Sequence, residues 1–465
     1  MQIRRRASAR IIAGVVVSMV AASSIAILQP GSGAGAVLGG LGAGGEFHPL
    51  PPQRIYDTRD PLINTIVAPI GTSPAGGSVD VQILGQGGVP ATASDVLAVV
   101  LNVTVTAPTH SGYLQAYPAG ANASISSIVN FAPGQNVPNL TVVTTGADGK
   151  LTIRLVTVDI GTADVVIDVF GWFSTSAYGA NGARLIPVGP ARIWDTREPS
   201  FNGTGQPIGQ AQFVRVPIRG ADSRQPDLVD IVPNTPDVVG VVLNITGINT
   251  EPNSVPTFVS VLPDDPVGAV RTSNLNLAQN QIKANLVIVP VSNPDGAIRL
   301  YNNGGSAHVA VDVVGYMLAN VNDSNFPRKG RVIPLSAPFR TFDTREPSFG
   351  NAQLGPGQAE AWSFSQFVAS VNLGGVPIGN QLALLGNLTG TGLSRLYPGQ
   401  PVSTYFTVYP ADVARPFSSN INVTEGVNVP NMAVVKLGSN GEIKAFNNSG
   451  YIHYLFDASA VVLGD

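Results

Sequence analysis

Between Leu97 and Thr106, Val99, Leu101, Val103 and Val105 alternate with Val100, Asn102, Thr104 and Thr106. A period of two built on β-branched residues predicts a strand with one apolar face. Tyr113 to Tyr117 reads as the next strand, stopped by Pro118, and Ile125 to Phe131 as another, stopped by Pro133-Gly134. Leu140 to Thr145 and Leu151 to Val156 flank Gly146-Ala147-Asp148-Gly149-Lys150, which reads as a hairpin loop in which Gly149 supplies the positive φ. From Val165 to Phe173 apolar residues fall on both faces, which predicts a central strand covered on both sides. The stretch from Asp57-Thr58-Arg59 to Leu97 reads as mostly loop.

The pattern then repeats. Arg54-Ile55-Tyr56-Asp57-Thr58-Arg59-Asp60-Pro61 returns as Arg192 to Pro199 and as Arg340 to Pro347, always with the Asp-Thr-Arg triplet. Leu101-Asn102-Val103-Thr104 returns as Leu243-Asn244-Ile245-Thr246 and Asn387-Leu388-Thr389; Asp148-Gly149 returns as Asp295-Gly296 and Asn440-Gly441. Asn130 and Asn139 match Asn276 and Asn285, then Asn422 and Asn431, at one spacing. The final strand holds Asp168, Asp312 or Asp457, but Phe456-Asp457-Ala458-Ser459-Ala460 lacks the Gly-aromatic pair of Gly171-Trp172 and Gly315-Tyr316, so the third copy is expected to close differently.

Three modules result, 46–174, 184–318 and 331–465. Linkers 175–183 and 319–330 are short, so neighbours should touch rather than swing. The fold class expected is all-β, three homologous β-sandwich-like modules in tandem, with a compact pseudo-threefold assembly as the alternative.

Composition supports strands and turns: of 465 residues, 12% are charged and 44% hydrophobic, with 52 Gly and 37 Pro. The chain has no cysteine, which removes disulfides, cysteine-type zinc sites and a thiol nucleophile together. Arg4-Arg5-Arg6, the apolar run Ile11 to Leu28 and Ala34-Gly35-Ala36 have the order of a secretory signal, assigned to 1–36, with a Gly/Ala-rich stalk at 37–45. Removing Arg4, Arg5, Arg6 and Arg10 takes the formal charge from −3 to −7. No basic patch is apparent, so nucleic acid is not an expected partner, and no second run of spanning length predicts a membrane span after cleavage. Gly40-Leu41-Gly42-Ala43-Gly44-Gly45 matches a dinucleotide fingerprint only by glycine content, without the flanking strand and helix, and no cofactor is expected.

The ordered set Asp195-Thr196-Arg197, Leu243-Asn244-Ile245-Thr246, Leu262-Pro263, Ser273-Asn274-Leu275-Asn276, Asp295-Gly296 and Val311-Asp312-Val313-Val314-Gly315-Tyr316 resembles a repeat domain of secreted actinobacterial proteins. The resemblance runs from about Glu46 to the C-terminus. It implies export or a cell-envelope location, and it transfers no catalytic residue.

Residues shared by internal copies mark what each module needs for itself. Asp168, Asp312 and Asp457 lie in the final strand, apolar on both faces in the first two copies, where a carboxylate needs a hydrogen-bonded partner. The natural partners are the triplet arginines Arg59, Arg197 and Arg345, with Asp57, Asp195 and Asp343 alternatively serving a local turn with them. Asn130, Asn139, Asn276, Asn285, Asn422 and Asn431 are candidate ligand contacts, for calcium or sugar hydroxyls, against the plainer role of satisfying backbone groups. Trp194, Trp362 and Tyr113 are candidate sugar-stacking faces, against a role in the core. No catalytic or metal-binding residue is assigned: His48, His110, His308 and His453 form no repeating triad or zinc pattern, because Asp164 stands where His308 and His453 do. The expected role is a non-enzymatic structural or adhesive one, with cell-wall polysaccharide or surface proteins as partners. A carbohydrate-binding protein is the alternative, and a hydrolase with a site between modules the second. Oligomeric state is not encoded legibly.

Overall fold

The structure, a computed structural model, describes residues 44–64, 67–72, 77–123, 126–223, 231–252, 254–265, 270, 272–321, 325, 327–364, 381–395 and 402–464. The signal segment 1–36 and all of the stalk except Gly44 and Gly45 lie outside the described residues, as does Ile125.

The first third contains β1 (Phe47–Asp57), β2 (Ile70–Gly71), β3 (Gly77–Gln82), β4 (Val96–Thr106) and β5 (Gly112–Pro118). It continues through β6 (Val129–Phe131), β7 (Val137–Val143), β8 (Lys150–Thr157) and β9 (Thr162–Ser174). The second third contains β10 (Arg184–Asp195), β11 (Gln212–Pro217), β12 (Val238–Asn249), β13 (Thr257–Pro263), β14 (Leu275–Leu277), β15 (Gln281–Pro290), β16 (Ala297–Asn302) and β17 (His308–Leu318). The last contains β18 (Val332–Asp343), β19 (Gln358–Ser363), β20 (Gln381–Ser394), β21 (Ser403–Pro410), β22 (Ile421–Thr424), β23 (Val429–Lys436), β24 (Glu442–Asn447) and β25 (Tyr451–Leu463). Two 3-10 turns, Pro199–Phe201 and Pro347–Phe349, are the only helix among the described residues. The predicted strands are present, although the run from Ile125 to Phe131 is, in its described part, strand only from Val129 onward, and Gly146 to Lys150 is not a hairpin loop: β7 and β8 pair in different sheets, so this turn crosses from one sheet to the other. The stretch read as loop before Leu97 also holds β3, whose short alternation at Val79 and Val81 is interrupted by Gly and polar residues.

The fold is all-β, with six small antiparallel sheets among the described residues, two to each third of the chain. The inner sheets run β1-β9-β4-β7, β10-β17-β12-β15 and β18-β25-β20-β23, and β2 adds a short fifth strand against β9. The outer sheets run β3-β8-β5-β6, β11-β16-β13-β14 and β19-β24-β21-β22. One face of β4 and β9, carrying Val99, Leu101, Val103 and Ile167, shares a core with Leu114 and Ile153 of the outer sheet. The other face of the inner sheet looks towards the remaining thirds: Val100, Leu140 and Phe170 join Val242 and Leu286 of the second copy and Leu385 and Met432 of the third in one continuous core.

This central core overturns two expectations. The strand expected to have one apolar face is buried on both, with Val100, Asn102, Thr104 and Thr106 at 0%, 0%, 6% and 9% exposure. Asn102 is satisfied across a seam between thirds, by the Ser273 carbonyl, and Thr106 within its own copy, by Asn136. Nor do three separate sandwiches follow one another in tandem. The thirds close into a ring, in which Phe47 bridges Ala183, the Leu185 amide donates to the Gly330 carbonyl at 2.8 Å, and Val332 bridges Gly45. First thus meets second, second meets third, and third meets first. Of the two expectations, the compact assembly is the nearer: the six small sheets stand in a ring.

The third copy does not close differently. Ala460 stands opposite Pro334 and Leu385 as Gly315 stands opposite Pro187 and Val242. At Gly171 a Cβ would lie 2.3 Å from the Phe47 ring, whereas the third copy has the smaller Val332 in place of Phe47 and accepts an alanine.

Candidate functional site

The repeated charged residues form one ladder per copy. In the second, Arg192 stands directly opposite Asp312 in the β10/β17 register, with Nε 2.8 Å from Oδ1 and Nη2 3.1 Å from Oδ2. Its Nη1 donates to Asp195 Oδ2 at 3.1 Å, and Arg197 forks onto that same Asp195 at 2.9 and 2.7 Å. Arg340, Asp457, Asp343 and Arg345 repeat this arrangement. The expected pairing of Arg59, Arg197 and Arg345 with Asp168, Asp312 and Asp457 is therefore corrected. The buried aspartate takes the arginine five positions earlier, because antiparallel register places Arg54, Arg192 and Arg340 across from it. The triplet arginine, beyond the end of the strand, serves its own triplet aspartate. The signal was present, since a basic residue opens the motif in all three copies.

Burial opposes ionisation of Asp57, Asp195 and Asp343, but hydrogen bonds from Arg59, Arg197 and Arg345 outweigh it and hold these carboxyls below their ordinary range. The first copy is the weakest. Arg54 reaches Asp168 through Nε alone, at 3.0 Å, Asp168 Oδ2 is buried without a partner, and burial pushes this carboxyl up. The triplet threonine locks the same junction: Thr196 Oγ1 accepts from the Val309 amide at 3.0 Å and meets His308 Nδ1 at 2.8 Å. Thr344 does the same with Tyr454 and His453, and Thr58 with Val165 and Asp164. The interchange of two histidines with Asp164 is thereby explained, since all three partner one threonine hydroxyl.

The asparagines make a second repeated network, at the seams. Asn139, Asn285 and Asn431 are each 1% exposed, on the edge strands β7, β15 and β23 that meet around the pseudo-threefold axis. Each Nδ2 donates to a backbone carbonyl of its own copy, of Ile128, Asn274 or Asn420, and to an asparagine Oδ1 of the neighbouring copy. Those neighbours are Asn387 at 3.0 Å, Asn102 at 3.4 Å and Asn244 at 2.8 Å. Asn139 and Asn431 also accept from the edge-strand amides of Met432 and Leu286, both at 2.9 Å. In return Asn387, Asn102 and Asn244 donate to the carbonyls of Ser127, Ser273 and Ser419 across the same seams. An edge strand leaves unpaired amides that invite misassociation; here one amide of β15 and one of β23 are each capped by a side chain from another copy. Sequence reasoning missed Asn102, Asn244 and Asn387 as participants, although they recur in the Leu-Asn-Val-Thr pattern.

Asn130, Asn276 and Asn422 instead lie half-buried on β6, β14 and β22, opposite Tyr113, Phe258 and Tyr405. Trp362 belongs to the interior: it stacks on Phe342 at 5.2 Å and donates from Nε1 to the Tyr454 hydroxyl at 2.6 Å. Trp194 packs on the edge of the central core, and Tyr113 is half-buried. Among the described residues no group of three His, Asp or Glu side chains is placed to hold a metal ion. The seam between third and first copies encloses about 20 Å³ beside Asn139, Asn387 and Asp457, room for about one water.

At the position where the ring closes, the three copies carry Glu46, Arg184 and Arg331. Glu46 accepts from both arginines at 2.9 Å and from the Gly182 amide at 2.9 Å. Burial disfavours its charge, yet these donors hold the carboxyl below its ordinary range.

No family model matches the sequence, and no curated protein does. Among solved structures, the tandem CBM22-1–CBM22-2 domain of Paenibacillus barcinonensis Xyn10C aligns at 12% identity over 53% of this chain and 83% of its own, with a TM-score of 0.16. A structure of Sulfolobus Turreted Icosahedral Virus aligns at 9% identity over 85% and 86%, with a TM-score of 0.15. A triple jelly roll from an archaeal virus turret aligns at 9% identity over 90% and 91%, also at 0.15.

Proposed function

We propose that the chain is an exported, non-enzymatic structural or adhesive element of the cell surface or medium, a single body in which six small sheets close a ring. The observation that carries this reading is the employment of the repeated polar residues. The arginine that opens the motif and the threonine of the triplet tie the first strand of each copy to its last, and the asparagines of β4, β7 and their counterparts tie the copies to each other. Here repetition serves cohesion. The signal-like segment 1–36 and the resemblance to a secreted actinobacterial repeat support the location. Without cysteine, an exported chain must gain durability from packing and buried hydrogen bonds, and the seams supply both.

Cell fractionation tests this. Expressed with its own leader in an actinobacterial host, the chain is expected in the envelope or medium, shortened by the leader. Retention in the cytoplasm at full length would sink the reading, and polysaccharide hydrolysis abolished by changing a seam carboxylate would replace it with the hydrolase.

A further inference from the structure

Among the described residues, the outer sheet of the second copy carries an exposed aromatic and arginine face that the other two do not repeat: in the third, Phe446 lies 6.0 Å from Tyr405 but is buried beneath Arg415, 4.0 Å from its ring centre. Phe213 on β11 faces solvent at 43% exposure, with its ring 4.9 Å from Tyr301 on β16, which in turn lies 6.1 Å from Phe258 on β13. Two residues along the same face, Arg215 stands opposite Arg299. Both guanidiniums are clamped through Nε by the buried carboxylate of Asp264; Arg215 also approaches Asp295 at 3.5 Å, and Arg299 lies 6.0 Å from the Phe213 ring centre. Their side chains remain 46% and 34% exposed. At corresponding positions the first copy pairs Ser78 with Arg154 and Asp80 with Thr152, and the third pairs Ala359 with Phe446 and Ala361 with Lys444. Ala119 and Ala411, after the matching prolines, replace Asp264.

This surface is not needed to fold a module or close the ring, because two copies do both without it. A surface elaborated in one copy only is free to serve an outside partner. We propose that this face of β11, β16 and β13 binds a neutral polysaccharide chain, a site that rests on the cell-surface reading above. Aromatic faces stack on the C–H faces of sugar rings. Guanidinium edges and the Asp295 carboxylate meet neighbouring hydroxyls in pairs. Asp264 fixes both arginines beforehand, which reduces the ordering cost of binding. Two arginines and two aspartates sum to zero charge, and the chain as a whole carries −3, so neither the platform nor the long-range field attracts a polyanion. An open sheet face suits an extended chain.

Affinity electrophoresis of the full mature chain through gels containing soluble arabinogalactan or β-glucan tests the site. Retardation by at least one of them that persists at high salt is expected. Phe213→Ala should weaken it at least tenfold while leaving the unfolding curve unchanged, and Tyr301→Ala, which also loses packing on Phe258, should weaken it at least as much at a temperature where the variant is folded. Free migration of the unsubstituted chain in both gels overturns the proposal, as does undiminished retardation of the variants. Salt-sensitive binding of single-stranded DNA, lost in the same variants and without polysaccharide retardation, would assign the face to nucleic acid instead. Envelope localisation together with free migration would defeat the site alone and leave the structural reading standing.

Discussion

Asn431 of the third copy donates through Nδ2 to Asn244 Oδ1 of the second, 2.8 Å away, while its own Oδ1 accepts the Leu286 amide of that second copy at 2.9 Å. One side chain thus caps an edge strand and joins two modules. Asn431→Ala would leave the Leu286 amide, Asn244 Oδ1 and the Asn420 carbonyl to find new partners in a buried seam. At about 1–3 kcal/mol for each buried group left unsatisfied, the loss should be about 3 kcal/mol or more. Denaturant unfolding measures it, and an unshifted midpoint would remove the seam from the account of stability.

Arg192 and Arg197 share Asp195 but differ in environment, since their side chains are 11% and 42% exposed. Arg192→Ala strands the fully buried Asp312 and should cost about 3–5 kcal/mol. Arg197→Ala removes a partly solvated partner and should cost about 1 kcal/mol. Equal losses in thermal or denaturant unfolding would contradict the assignment of Arg192 as the partner of Asp312.

Lys283 stands on β15 where the equivalent residues of the other copies are Val137 and Val429. It is 8% exposed, and burial pushes its amine down to about 7. A lysine in the unfolded chain titrates near ~10.4, so the unfolded state binds more protons between those values and stability rises with pH across that window. The chain should be more stable at about pH 9 than at about pH 7 by this contribution. Lys283→Val should raise stability at neutral pH and flatten the difference. An unchanged pH slope in that variant would place the dependence elsewhere.

An isolated second module, residues 184–318, would expose Val242, Leu286 and Ile288 of its inner sheet, all now within the central core. It should self-associate or bind a hydrophobic dye, whereas the full chain stays dispersed and unfolds in one transition. A monomeric, dye-silent module at micromolar concentration would show that the ring is not required to cover that face.

The sequence by itself determined the all-β class, the threefold repetition, the positions of most strands and the double coverage of the final one. These are local properties: a period of two, turn residues at fixed intervals, and recurrence of Asp-Thr-Arg. It also pointed to a charged partner for Asp168, Asp312 and Asp457. It did not choose between two arginines five residues apart, because that choice depends on which residue of β1, β10 or β18 lies across from the aspartate in the paired strands. The closing of the ring was likewise decided only in the tertiary structure. Asn102 reads as part of the polar side of a strand with one apolar face, because a polar residue satisfied by water and one satisfied by another module look alike in a chain. Only the partner carbonyl of Ser273, 171 positions further along, distinguishes them.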